Sequence, residues 1–160
     1  MSIGTADFQK ATVTAWNASG LNELFIALGT TAPVLFDQEA PPKKSYPYCI
    51  LDQPSIDVES RMTASSGKYH IKSMSQNFRL FVGEVSGDTR TAKELAAYLA
   101  EEIMKVFGGH PTVSPTATIS LDNGNHLITQ YVNDFALRIG DGEYEWDLTY
   151  TFLLDVPVMV

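Results

Sequence analysis

From Glu143 to Val156 the chain alternates: Tyr144, Trp146, Leu148, Tyr150, Phe152, Leu154 and Val156 are separated by Glu143, Glu145, Asp147, Thr149, Thr151, Leu153 and Asp155. A period of two belongs to a β-strand, whose successive side chains leave opposite faces of the pleated backbone. Here one face is core and the other is wet. Gly140-Asp141-Gly142 forms a turn before it, and Leu127 to Ile139 reads as a returning strand. Leu127 to Val156 is therefore predicted as a long two-stranded ribbon, which constrains the rest of the chain to supply its partners and its cover.

A second strand is as clear. Met74, Gln76, Phe78, Leu80 and Val82 fall on one face, and Ser73, Ser75, Asn77, Arg79 and Phe81 on the other. Between Asp7 and Leu28 the apolar residues follow helical spacing, with Thr5 or Asp7 as N-cap, a break at Ser19-Gly20 and a stop at Gly29. Val34-Leu35-Phe36 is a short extended piece. Pro41, Pro42 and Pro47 keep the chain out of regular hydrogen bonding until a strand begins at Tyr48, and Pro54 makes its second half, to about Val58, an edge or a bulge. Ser60 to Ser75, built from small polar residues around Gly67, is predicted as a long, mobile hairpin or loop. Thr91-x-x-Glu94 has the spacing of a capping box, and Leu95, Leu99, Ile103 and Val106 form the stripe of a second helix ended by Gly108-Gly109. Thr116 to Leu121 and the turn Asp122 to Asn125 lead into the ribbon. These elements predict an α+β fold: an antiparallel sheet of four to six strands with two main helices on one face, as a single domain over residues 1–160.

A length of 160 residues with 44% hydrophobic content suits one core. The formal charge of -8, with Lys43-Lys44 the longest basic run, argues against a nucleic-acid grip, which needs clustered cations. The dispersed carboxylates read as a solvating surface or a complement to a basic neighbour. One cysteine excludes an intramolecular disulfide and a Cys-based zinc site, fitting a reducing compartment. The first residues carry no basic and apolar leader, and no run of about 18 apolar residues occurs, so a soluble, cytoplasmically made protein is expected.

Patterns that carry chemistry are missing. There is no G-x-S-x-G elbow, phosphate-binding loop or dinucleotide fingerprint. His70, His110 and His126 each fall in a predicted loop or turn, and Cys49 sits inside a strand as a small core residue. Glu143, Glu145 and Asp147 share a strand face at about 7 Å spacing, which suits a solvated row or an interface better than a metal or acid/base cluster. No catalytic residue, metal or cofactor is expected. The enzymatic or small-molecule alternative would need convergent polar groups, for example around Cys49, His70 and His126.

Phe36 to Pro42, FDQEAPP, followed by Tyr46-Pro47-Tyr48 at a strand start, resembles the tail-terminator, or tail-completion, proteins of long-tailed bacteriophages. The order of helix, strand start, strand, second helix and final hairpin over Asp7 to Asp155 is similar too. The resemblance implies a non-enzymatic virion protein at the head-proximal end of the tail, assembled in the host cytoplasm. It would form a homo-oligomeric ring, with six subunits expected. That ring would stop tube polymerisation and contact tail tube protein and head-tail connector. A head-tail connector or neck component is the neighbouring alternative. A ring needs two complementary patches per subunit. Arg61, Lys68 and Lys72 on the Ser60 to Ser75 segment, and the Glu143, Glu145, Asp147 row, are the candidate interface residues.

Overall fold

The N-terminal helical periodicity is realised as two helices, α1 (Thr5–Ala18) and α2 (Leu21–Ala27). The computed structural model describes residues 5–37, 40–52, 55–63, 69–108, 126–140 and 142–157. The break falls where expected: Gly20 takes φ 86°, which favours glycine, and the Ser19 hydroxyl donates to the Trp16 carbonyl at 2.6 Å. Helix α1 begins at Thr5, one of the two residues suggested for its cap.

Among the described residues six strands follow, in one sheet: β1 (Leu35–Phe36), β2 (Tyr48–Leu51), β3 (Ser55–Thr63), β4 (Tyr69–Val82), β5 (His126–Gly140) and β6 (Glu143–Pro157). Their order is β1-β2-β4-β6-β5, with β3 also on β4. The sheet is antiparallel except for β1, which runs parallel to β2. Strand β4 pairs with β6 in unbroken register from Tyr69–Pro157 to Val82–Tyr144, and β5 pairs with β6 as the predicted ribbon.

The extended segment from Tyr48 to Val58 is two strands laid along one edge of β4. Leu51 pairs with Phe78 but Ser55 with Ser75, so the pairing slips by one residue between them. A slip of one exchanges the faces of a strand. It sets Ile56 opposite Met74 and Val58 opposite Lys72. This is the irregularity that Pro54 signalled, although Gln53 and Pro54 lie outside the described residues.

Ser60 to Ser75 is a hairpin more than a loop. Strand β3 reaches Thr63 and β4 starts at Tyr69, with residues 64–68 outside the described set. The small polar composition hid this because pairing with β6 on the far edge of β4 holds the arm straight. Residues 109–125, including His110, Thr116 to Leu121 and the Asp122 to Asn125 turn, also lie outside it.

Helix α3 (Ala92–Phe107) begins at the predicted capping box: the Glu94 N–H donates to Thr91 Oγ1 at 3.2 Å, and the Thr91 N–H to Glu94 Oε2 at 3.3 Å. Leu95, Leu99, Ile103 and Phe107 are fully buried. Helices α1 and α3 cover the same sheet face, since Phe78 of β4 meets Trp16 at 6.1 Å and Phe107 at 4.8 Å between ring centres. Tyr150 of β6 joins this group at 5.8 Å from Phe78, and its hydroxyl donates to the Gly108 carbonyl at 2.6 Å. Rings of this size bury enough apolar surface to stabilise the fold by about 1.5–3 kcal/mol each. At about 3.4 Å per residue β4 spans roughly 46 Å, against roughly 24 Å for α3. Phe8 of α1 packs on Phe152 at 5.1 Å, and beyond that pair the β4–β6 ladder continues to Tyr69–Pro157.

Candidate functional site

The sheet face turned away from the helices carries the chain's polar organisation. Arg79 of β4 lies at its centre. Its Nε donates to Asp52 at 3.2 Å, and its guanidinium reaches Glu145 of β6 at 3.7 Å. Asp52 is fixed where β2 ends: its N–H donates to the Asn77 carbonyl at 2.9 Å and its carboxylate accepts from Asn77 Nδ2 at 2.9 Å. Thr149 of β6 donates to Asn77 Oδ1 at 3.3 Å. Directly opposite Arg79 in the ladder stands Asp147, whose Oδ1 is buried and has no hydrogen-bond partner among the described residues. Burial, and secondarily the charge of Glu145, pushes the Asp147 carboxyl up to about 6 against the pull of Arg79.

Beside this cluster runs an aromatic ladder. Tyr46 stacks on Tyr48 at 5.7 Å, and Tyr48 stacks on Phe81, its ladder partner, at 5.0 Å. Phe36 meets Tyr48 edge-on at 6.1 Å. The Tyr46 and Tyr48 hydroxyls are both held above their ordinary pKa, first by burial; for Tyr46 the Glu143 carboxylate adds to this. Tyr46 lies flat over Gly83, where a Cβ would run into its ring.

The carboxylate row Glu143, Glu145, Asp147 is thus brought together on one face, as expected, but it is not an exposed row. All three are half-buried, and Glu145 keeps only 15% of its side-chain exposure. The reason is lateral: Arg79 and Phe81 on the adjoining strand cover the two inner members. Of the basic candidates, Arg61 falls on β3 and Lys72 on β4 opposite Leu154, while Lys68 lies outside the described residues. Leu154 is roughly 37 Å along β6 from Glu143, so the basic and acidic candidates occupy opposite ends of the ribbon within one chain.

The alternative pocket around Cys49, His70 and His126 does not assemble. Cys49 is fully buried opposite Leu80, where desolvation drives its thiol pKa far upward, so no thiolate is available. His70 pairs with Val156 and His126 with Asp155, both on strands and not in loops, at the far end of the sheet roughly 34 Å from Cys49. Among the described residues no group of three or more His, Cys, Asp or Glu is placed to hold a metal ion. No helix among them is long and apolar enough to cross a membrane.

A different groove, of about 820 Å³, opens between α1, α2 and β1, lined by Val13, Ile26, Pro33, Leu35 and Phe36 among others. Ile26 within it is 43% exposed. Its amides are already paired: Asn22 accepts from Trp16 Nε1 at 2.8 Å and donates to Asn17 at 2.9 Å.

Sequence reasoning missed Asp52 as a site residue, although its place just before the Pro54 break was a signal. No protein-family model matches the chain, and no curated protein matches it in sequence.

Proposed function

We propose that this chain is a non-catalytic structural protein of the phage tail-terminator kind. It forms a ring that caps the tail tube, ends its polymerisation and offers a surface to the head-tail connector. The observation that carries this reading is element order. Helices α1 and α2, a strand starting at Tyr46-Pro47-Tyr48, the long strand β4, helix α3 and the β5–β6 ribbon follow in this order, which is compatible with the order that the resemblance implies. A ring of identical subunits also needs two unlike patches. The Glu143, Glu145, Asp147 row on β6, and Arg61 on β3 with Lys72 on β4, lie at opposite ends of the sheet and are the candidates for them.

The test is mass by light scattering over a concentration and salt series, with negative-stain images of the same sample and of tail tubes incubated with the protein. Rings, or density added at one tube end, support the proposal. A monomer that neither forms rings nor caps tubes refutes it. Binding to portal complexes in place of tube ends would move the protein to the connector.

One observation favours a second reading. The apolar groove beside Ile26 has the size of a small-molecule site. A ligand of matching apolar character that raises the melting temperature in wild type but not in Ile26→Glu would support that reading.

A further inference from the structure

Asp52, Glu145 and Asp147 converge on one guanidinium where β2, β4 and β6 lie side by side. Arg79 donates from Nε to Asp52 at 3.2 Å, whereas its contact with Glu145, at 3.7 Å, is longer than a hydrogen bond. The other N–H groups of the guanidinium make no hydrogen bond among the described residues. Asp147 stands opposite Arg79 in the β4–β6 ladder, with a buried Oδ1 that has no partner among the described residues. Spare donors and a spare acceptor thus face each other on neighbouring strands. Arg79 keeps 34% of its side-chain exposure, which leaves the guanidinium room to turn between them.

A proton decides whether they meet. The charged groups that act on the Asp147 carboxyl are Arg79 on β4, Glu145 on its own strand and Asp52 at the end of β2; burial comes first, Glu145 and Asp52 add to it, and Arg79 opposes them. Tyr48 of β2 also faces Arg79, but burial keeps its hydroxyl protonated. On β5 the register sets Asn133, Phe135 and Leu137 opposite Thr149, Asp147 and Glu145, and none of the three ionises. With a proton on Asp147, Arg79 is left to Asp52 and Glu145. Without it, a further anion stands directly across the ladder from the guanidinium, in more buried surroundings than the carboxylate of Asp52, where opposite charges attract more strongly.

We infer that Arg79 is a clamp set by the Asp147 proton: with the proton in place the guanidinium holds Asp52 to β4, and without it the guanidinium turns to Asp147 on β6 and releases Asp52. Asp52 then keeps its bonds with Asn77 and the one its carbonyl accepts from Gln76, but its carboxylate loses the charged partner. The place matters because the pairing along β4 slips by one residue between Leu51 and Ser55, so the clamp acts at the junction of β2 and β3. A charge-assisted bond there makes the junction firmer in mild acid and looser above neutrality.

The experiment is NMR on the full chain labelled with carbon-13 and nitrogen-15, following the Arg79 Nε–H group and the Asp52 side-chain carboxyl carbon from pH 5 to pH 8. Wild type, D147N and E145Q are compared, each checked for folding by circular dichroism. Wild type should show a shared inflection near pH 6 in both signals, and D147N should hold the acid-side values throughout. E145Q should keep the inflection and move it to lower pH, because the Glu145 charge is one of the causes that raise the Asp147 carboxyl. Signals that stay flat in wild type, or an inflection that survives in D147N, overturn the clamp. So does an inflection lost in E145Q and kept in D147N, which puts the proton on Glu145. If D147N fails to fold, the Asp147 carboxyl carbon of wild type is read beside the other two signals: a common midpoint supports the clamp, and a separate one overturns it.

Discussion

Asp147→Asn should stabilise the protein at neutral pH and leave it unchanged in acid. The Asp147 carboxyl faces Arg79 across the ladder, yet its Oδ1 is buried without a partner among the described residues, and its pKa stands at about 6 against an ordinary 3.8. Between those values the folded protein keeps a proton that the unfolded chain releases. Stability from this group is therefore fully present below about pH 4 and is lost as pH rises to about 6. In full the shift corresponds to about 3 kcal/mol. The side chain is only half-buried, and solvent screening brings the effect to about 1 kcal/mol. Asparagine carries no charge to desolvate, so the variant should gain about 1 kcal/mol above pH 6, or about 2–4 °C in melting temperature for a chain of this size. Urea denaturation of both proteins from pH 4 to pH 8 reads the difference directly. Asp88, held down to about 2 by its hydrogen bonds from Arg90, titrates equally in both and cancels. Equal stabilisation at pH 4 and pH 8 would refute the reasoning. Destabilisation at neutral pH would do so too, by showing that attraction to Arg79 outweighs burial.

Two further substitutions probe the fold. Thr12 Oγ1 lies 3.0 Å from Gln76 Oε1 inside the core, while Gln76 Nε2 donates to the Asp52 carbonyl at 3.3 Å. Thr12→Val should cost about 1–3 kcal/mol by stranding a buried acceptor, and adding Gln76→Leu should recover part of it, a coupling that urea denaturation of the double-mutant cycle measures. Thr91→Ala removes half of the α3 capping box and should cost about 1 kcal/mol, seen as a lower urea midpoint with unchanged slope.

The fold was legible where a pattern is local. The alternation over β6, the two faces of β4, the Thr91 and Glu94 spacing and the Ser19-Gly20 break each depend on a few adjacent residues, and each lies where the sequence predicted it. What escaped depends on neighbours distant in the chain. Alternation says that Glu145 and Asp147 share a face, but not that Arg79 and Phe81 from β4 lie over them. Nor could it show that Asp52, at the end of a third strand, completes the cluster. Likewise Leu35 and Phe36 are too few to reveal that they pair parallel with β2, and the small polar residues from Ser60 to Ser75 mask strands whose straightness comes from β6. For the same reason His70 and His126, expected in turns, lie on strands.

The place of β6 within the sheet bears on how the protein is made. The last of the described strands is an inner one, bonded to β4 on one side and β5 on the other, and its Phe152 closes on Phe8, more than 140 residues earlier. A ribosome releases this chain from its first residue onward, so α1, α2 and the first four strands emerge before the strand that completes their sheet. Until it arrives, β4 presents a bare edge of about 46 Å with apolar residues along it, the kind of surface that pairs with other chains. Closure waits for a contact spanning nearly the whole sequence, which makes folding slow for a domain of this size and places its greatest risk of misassembly during synthesis.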